Sequence, residues 1–462
     1  EEIKSVTGWQ LTTETWHTIE ADLFIDCSGD SILAPLSGAE YRMGREASSE
    51  FDESIEPEEA DEKVMGMSLL IQARETSESQ EFIPPGWAYT YEDDESLPNR
   101  GHDILKTNFW WIEVGGEEHP IHDTEKNRDE LLKIAFGVWD HIKNQKDHGA
   151  ENWELEWLGF LPGKRESRRY VGDYILTQND VRAEGKFEDL IAYGGWSMDD
   201  HHPAGFYHPG KPTIFHSAPS PFGIPYRSLY SNNIGNLLFA GRNISATHAA
   251  LSATRVMATT AILGQAAGTA AHLAIDNDLS PRGVYRKKTK ELKQILMKDD
   301  CYLPWNSREM SDLTKKAELT ATQGDPEKLR NGIDRQVNGQ ENGWKVDLNS
   351  YAEYRFDQPQ NIKEIRLIFD SDLEQNNKGG ELHMPCRYEL DAEYVGVPDT
   401  LVSKYRIEAL NEEEDWETII YEENNYQRLN KIKVNVHTKA LRLIPEKTWG
   451  ADQANIFAWE LF

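Results

Sequence analysis

The pattern of apolar and polar positions changes character along the chain. At the start it is strand-like. "WQLTTE" and "WHTIEA" alternate around a turn and predict a hairpin, and "ADLFIDCSGD" is a short continuous apolar run closed by Ser28-Gly29-Asp30. A run of that kind is the mark of a central strand in an α/β sheet, buried on both faces. From about Leu36 to Tyr230 the pattern is mixed. "VMGMSLLIQA" and "TNFWWIEVGG" read as buried strands, the second ending at Gly115-Gly116. "NRDELLKIAFGVWDHIKNQKDHG" puts Leu131, Ile134, Ala135, Val138, Trp139 and Ile142 on one helical stripe, with Gly149 as its stop.

A second strand–Gly–helix unit follows at residues 236–271, "NLLFAGRNISATHAALSATRVMATTAILGQAAGTAA". The apolar strand breaks at Gly241 and a helix rich in Ala, Gly, Ser and Thr begins. Such a helix lets backbones approach closely, and its first turn offers unpaired N–H groups and partial positive charge to an anion or an electron-rich ring. "SPRGVYRKKTKELKQILMKDD" then reads as a basic, exposed helix. From Ala321 onward the texture is all-β. "AEYRFDQPQNIKEIRLIFDS", "PCRYELDAEY", "KYRIEALN", "WETIIYEE", "KIKVNVHTKALRLIPEKTW" and "IFAWELF" are alternating runs separated by turns, the pattern of an antiparallel sandwich.

Composition narrows the function. The 462 residues exceed one ordinary domain. A net charge of −31 repels phosphate backbones and argues against nucleic acid as a partner. The acidic stretch 46–63, "EASSEFDESIEPEEADEK", reads as a solvated loop. Cys27, Cys301 and Cys386 make neither a CxxC pair nor a disulfide framework, which fits a cytoplasmic setting without excluding the periplasm. No apolar run is long enough to span a membrane, and no signal peptide opens the chain.

Two polar stretches carry candidate chemistry. "GGWSMDDHHPAGFYHPG", residues 194–210, gathers Asp199, Asp200, His201, His202 and His208. A metal is not expected there, because adjacent histidines rarely face one ion. His201, His202 or Asp200 can instead take a hydroxyl proton from a substrate, and Tyr226 and Arg227 of "FGIPYRSLY" are expected to line the same cleft. In "LPGKRESRRYVGDYILTQND", residues 161–180, the Gly and Lys spacing does not make a phosphate loop. Arg165, Glu166, Arg168 and Arg169 are expected to form an ion-pair network, with an anion-holding cluster as the alternative.

The segment at residues 236–271 resembles the C-terminal flavin-binding segment of the FAD-dependent oxidoreductase family, within the fumarate reductase and glutathione reductase superfamily. Gly241, Arg242, Asn243, Ser245, His248, Ser252, Arg255, Val256 and Met257 carry the match. "ADLFIDCSGD" is similar to another signature of that superfamily through Cys27, Ser28, Gly29 and Asp30, and residues 161–180 resemble a family segment lying between the two. The resemblance implies FAD as cofactor, with the strand ending near the ribityl chain. It also implies a helix dipole aimed at the pyrimidine edge, where reduction leaves negative charge. The superfamily often has Gly-Asp where this chain has Gly241-Arg242, so an aspartate bond to the ribityl chain is not carried over. No GxGxxG occurs in the sequence, and the resemblance implies on the order of 100 residues ahead of Glu1 to supply it. The tail from about Asp325 resembles a galactose-binding-like, discoidin-type β-sandwich, modules of which often bind sugars through rim loops, while many are only structural.

The expected fold is therefore an α/β FAD/NAD(P)-binding-type domain, incomplete at its GxGxxG unit, built from residues 1–46 and 231–278. An α+β substrate or cap region spans 47–230, a helical linker 279–320 and an all-β sandwich 321–462. The expected function is hydride transfer between a small organic substrate, carbohydrate or polyol in class, and flavin N5. Catalytic roles fall to His201, His202, Asp200 and Arg227. The alternative is a non-catalytic carbohydrate- or protein-binding chain on a degenerate flavoprotein body. A homo-oligomer is left open.

Overall fold

The structure is a computed structural model that describes residues 1–145, 148–373, 384–387 and 396–462. The chain forms two compact units. One is Glu1–Lys293 with Leu382–Ala392, the other Gln294–Glu381 with Glu393–Phe462.

In the first unit β1 (Ser5–Gln10) and β2 (Thr15–Glu20) form the expected antiparallel hairpin. The run "ADLFIDCSGD" gives β3 (Phe24–Asp26). The expected strand over "VMGMSLLIQA" is broken into two short pieces, Met67–Ser68 and Ile71–Glu75. In "TNFWWIEVGG" only Glu113–Val114 is extended, because Phe109 takes a left-handed φ of 61° and turns the chain. Helix α1 (Thr124–Asn144) buries its whole predicted stripe, from Leu131 to Ile142. It stops at Gln145, short of Gly149. The strands β4 (Met198–His201) and β5 (Thr213–His216) pair antiparallel.

The second strand–Gly–helix unit supplies β6 (Leu237–Phe239), fully buried and parallel to β3, with Leu237 opposite Phe24 and Phe239 opposite Asp26. Both strands therefore end on the same side, where cofactors of open α/β sheets bind. The small-residue helix is two helices. Helix α2 (His248–Thr254) ends at Arg255, Val256 is extended, and α3 (Met257–Asp276) begins anew. Arg255 keeps a helical backbone and its side chain reaches Asp199. Ala266, Ala267, Ala270 and Ala274 form the buried side of α3, which is why it carries few large side chains. Helix α4 (Pro281–Lys298) is the expected basic helix, but it is not exposed all round, because Val284, Leu292 and Leu296 are buried.

The second unit is one antiparallel seven-stranded sheet, β7 (Glu318–Ala321), β8 (Trp344–Asp347), β9 (Ala352–Phe369), β10 (Val402–Leu410), β11 (Trp416–Glu422), β12 (Leu429–Thr448) and β13 (Gln453–Leu461). The long strands β9 and β12 shift register between Arg355 and Gln360 and again between Ile362 and Glu364. Such irregularities bend a strand, and the sheet wraps as a β-sandwich around Trp344, Tyr354, Tyr405, Trp459 and their apolar neighbours. The sequence pattern missed β7 and β8. Most of the expected strand "PCRYELDAEY" lies outside the described residues. Among the described residues no helix is long and apolar enough to cross a membrane.

Candidate functional site

The C-terminal ends of β3 and β6 make the first half of the site. Asp26 ends β3 as a buried carboxylate that accepts from the Ser28 and Leu33 amides and the Tyr170 hydroxyl. The chain then turns at Gly29 (φ 74°), with Cys27 exposed. A Cβ at Gly29 would sit 3.2 Å from the Arg242 guanidinium. Arg242 donates to the Gly29 carbonyl at 2.5 Å, the Ser167 hydroxyl at 2.9 Å and Asp30 Oδ1 at 2.7 Å. Lys164 and the Ser167 hydroxyl also donate to Asp30. Burial works against the Asp30 charge, but these donors prevail and hold its pKa at about 2. The Gly-Arg pair thus places an arginine on the β3 turn.

Gly241 (φ 136°) breaks β6, and a Cβ there would meet Asn243 Oδ1 at 2.9 Å. Asn243 and Ser245 are fully buried, and Asn243 Oδ1 and Ser245 Oγ lack hydrogen-bond partners. Ser252 is packed inside α2 with its hydroxyl on the Ala249 carbonyl. Val256 precedes α3 without a side-chain cap, and Met257 is 88% exposed at that helix start.

The second half is a buried charge network between β4, α2 and the segment 164–169. Alternation along β4 sends Asp199 and His201 to one side and Asp200 to the other. His201 Nδ1 lies 2.7 Å from Glu113 Oε2 and its Nε2 3.3 Å from Asp199 Oδ2. Arg255 Nη2 bonds Asp199 at 3.1 Å, and Arg165 pairs with Glu113 at 3.2 Å. On the other side His248, the first residue of α2, lies between Glu166 (Nδ1, 2.8 Å) and Asp200 (Nε2, 3.2 Å), while its backbone N–H donates to Glu46. Burial disfavours the His248 cation, yet Glu166 and Asp200 raise its pKa well above the ordinary value. Both nitrogens of each ring face carboxylate oxygens, so neither ring has an atom left to take a proton from a substrate. Asp199 and Asp200 are held below the usual carboxylate range, against burial, by their histidine partners.

The acidic stretch 46–63 is not all solvated. Glu46, Glu53 and Glu56 are buried. Glu46 pairs with Arg169, and Glu53 accepts from the Gln178 amide and the Thr247 hydroxyl. Glu56 has no hydrogen-bond partner on either oxygen. Its burial, reinforced by Glu46 and Glu53 and opposed by His248, pushes its pKa up to about 7. Sequence reasoning missed this residue, because its surroundings include Arg169 and His248, more than 100 positions away.

Of the four expected catalytic residues, Asp200 and His201 belong to this network. His202 and Arg227 are placed elsewhere. The His202 ring stacks on His208 at 3.7 Å and its Nδ1 accepts from the Ala204 amide. Arg227 is engaged by Asp189 through Nε at 3.0 Å and lies over Tyr174 and Tyr285. Tyr226 is buried and donates to the Pro281 carbonyl. Because Asp199, His201 and Asp200 split across β4 while His202 and His208 stack apart, these side chains do not converge on one metal position. The segment 164–169 joins the two halves: Lys164 and Ser167 serve Asp30 and Arg242, while Arg165, Glu166 and Arg169 serve the buried network. Arg168 lies over the Tyr41 ring.

These residues fit the ring end of a flavin. Two glycine turns at parallel strand ends and a helix start without a side-chain cap are suited to a planar, electron-rich group, and the unpartnered Asn243 Oδ1 beside Gly241 is an acceptor suited to a ring N–H. A Gly-rich pyrophosphate turn is not among the described residues.

Comparison with solved structures finds matches that span the β-sandwich share of the chain. The family 32 carbohydrate-binding module from Streptococcus pneumoniae EndoD is 12% identical, covers 32% of this chain and 97% of its own, and has a TM-score of 0.24. The family 32 module from C. perfringens NanJ, in complex with galactose, is 10% identical over 32% of this chain and 94% of its own, with a TM-score of 0.23. No curated protein matches. The model of the family described as FAD dependent oxidoreductase matches residues 1–296, which include both strand–Gly turns, the segment 164–169 and the buried network. The chain belongs to the FAD dependent oxidoreductase family.

Proposed function

We propose that the unit built on residues 1–293 oxidises or reduces a small organic substrate, carbohydrate or polyol in class, with FAD as the redox group. Bound flavin supplies a two-electron acceptor or donor for hydride at its N5. The chain's own residues prepare the rest. Gly29 and Gly241 leave room for a flat ring against the backbone, the start of α3 at Val256 and Met257 would hold its polar groups, and the buried Asn243 and Ser245 would back that wall. Arg242, fixed by Asp30, and the exposed Cys27 and Ser28 form the floor of the β3 turn.

The observation that supports this reading most is Glu56, a buried carboxyl with a pKa of about 7 and both oxygens unpaired. A general base works best when its pKa lies near the working pH. In the direction of substrate oxidation Glu56 would take the hydroxyl proton once its two oxygens, closed to solvent here, are opened to the substrate. The neighbouring His248 favours the ionised form of Glu56, and His201 and Arg255 both hold Asp199. Anaerobic mixing of the FAD-loaded protein with a panel of sugars, polyols and hydroxy acids tests the proposal. Loss of the flavin absorption bands with one class, along a rate profile that rises through about pH 7 and flattens in Glu56→Gln, supports it. Unchanged bands with every class refute it.

A cleft in the second unit favours the alternative, a carbohydrate-binding chain without catalysis. It encloses about 430 Å³ and is lined by Arg335, Asp370, Arg428, Gln453, Asn455 and Phe457, a mix of planar polar groups and one ring suited to a hydroxyl-rich ligand. Sugar binding by a protein that takes up no FAD would decide for this reading.

A further inference from the structure

A cluster in the first unit shares no residue with the network above. Asp94 lies in a short 3-10 turn, Asp94–Ser96, pinned by the Asp93 side chain, which accepts from the Ser96 amide and hydroxyl. His102 follows in the next loop, His141 lies in the last turn of α1, and His148 stands just beyond that helix. Asp94 Oδ1 is 3.1 Å from His141 Nε2, 3.3 Å from His102 Nδ1 and 3.4 Å from His148 Nε2. One ligand atom from each of the four lies within 4.8 Å of all the others.

We propose that Asp94, His102, His141 and His148 bind one divalent transition-metal cation, zinc in class, that clasps the 94–102 loop to the end of α1. Bonds of about 2.0–2.1 Å from a tetrahedral ion put neighbouring ligand atoms about 3.3 Å apart, close to the three distances around Asp94 Oδ1. The donors are imidazole and carboxylate with no sulfur, a set suited to zinc and its neighbours.

The hydrogen-bond chemistry points the same way. His141 Nδ1 lies 3.0 Å from the Tyr91 carbonyl, and a carbonyl only accepts, so Nδ1 carries the proton. The neutral ring then aims the Nε2 lone pair at a carboxylate oxygen. Two acceptors face each other unless the ring takes a second proton inside a buried site or a cation lies between them. A backbone carbonyl that fixes the tautomer of a histidine is the usual outer support of a metal ligand. His102 Nε2 is buried without a hydrogen bond, so the Nδ1 side facing Asp94 is that ring's polar anchor. His102 meets His141 and His148 edge-on and those two rings are tilted to each other, with 4.8–5.2 Å between centroids. The Asp94 side chain is 70% exposed and leaves an access route for the ion. Four protein ligands fill a tetrahedral shell, which makes the role structural.

The test uses the full chain, stripped with chelator and titrated with zinc by calorimetry. One zinc per chain, a rise in melting temperature, and visible absorption typical of tetrahedral coordination when cobalt(II) replaces zinc are expected. Asp94→Ala, at an exposed position where folding is not at stake, and His102→Ala should each weaken binding on the order of 100-fold. No uptake with zinc in molar excess, or equal affinity in wild type and Asp94→Ala, would overturn the proposal. Those outcomes would identify the cluster as imidazoles hydrogen-bonded around a carboxylate.

Discussion

Replacing Glu56 with Gln isolates the cost of a buried carboxylate. Glu56 is 8% exposed and unpaired, and its pKa stands at about 7 against an ordinary 4.5. A carboxyl whose folded pKa is raised contributes its stability below the unfolded pKa and loses it as pH rises through the folded value. The window therefore runs from about pH 4.5 to about pH 7. At about 1.4 kcal/mol per pH unit, the ionised form costs the fold about 3 kcal/mol above that window. Glutamine keeps the shape and cannot ionise. Glu56→Gln should leave stability nearly unchanged at pH 4.5 and raise it by up to about 3 kcal/mol at pH 8. Urea unfolding of the unit 1–293 within the full chain, followed by tryptophan fluorescence at both values, reads the difference. An equal effect at both pH values would refute the reasoning, since it would mean that Glu56 binds its proton alike in the folded and unfolded states.

Three further outcomes follow from the same geometry. Arg242→Ala removes donors to Gly29, Ser167 and Asp30 and should cost about 1–3 kcal/mol. It should also move acid unfolding to higher pH, because Asp30 stability is present above the ordinary carboxylate pKa and is lost as pH falls through about 2; an acid titration by circular dichroism checks this. His201→Phe leaves Glu113 and Asp199 buried without their shared partner and should destabilise by about 3–5 kcal/mol, read by urea unfolding. Trp459→Ala empties a fully buried site against Tyr354, 4.4 Å away, and should cost the β-sandwich about 3–5 kcal/mol, read by calorimetry.

The periodic parts of the fold were legible because burial writes itself into sequence at short range. The α1 stripe from Leu131 to Ile142 and the runs of β9, β12 and β13 are such cases. The strand–Gly turns at Gly29 and Gly241 were legible for a different reason: a positive φ favours glycine whatever surrounds it. Elements set by tertiary contacts were hidden. The break between α2 and α3 has no Pro or Gly to announce it; it falls at the extended Val256, next to Arg255, whose side chain reaches Asp199 across the fold. The site was half legible. Asp200 and His201 were read from residue type, but type alone cannot say that both His201 nitrogens are engaged or that Arg227 belongs to Asp189. Glu56 sat in a charge run whose composition reads as solvent-facing, and the groups that set its pKa enter from Arg169 and His248. The Asp94 cluster draws on three chain segments with no ligand-like spacing between them.

The central claim is that the turns at Gly29 and Gly241 hold a flavin. Titration of FAD into the purified chain, followed by flavin fluorescence and visible absorption, tests it directly, with Gly241→Val as the control. Valine at a φ of 136°, with its Cβ driven toward Asn243, closes the space the ring needs. The account predicts quenched fluorescence and shifted bands with the wild type, both lost in Gly241→Val at a temperature where circular dichroism shows that the strained variant is still folded. Flavin fluorescence indifferent to the wild-type chain, or identical binding by the valine variant, would contradict it.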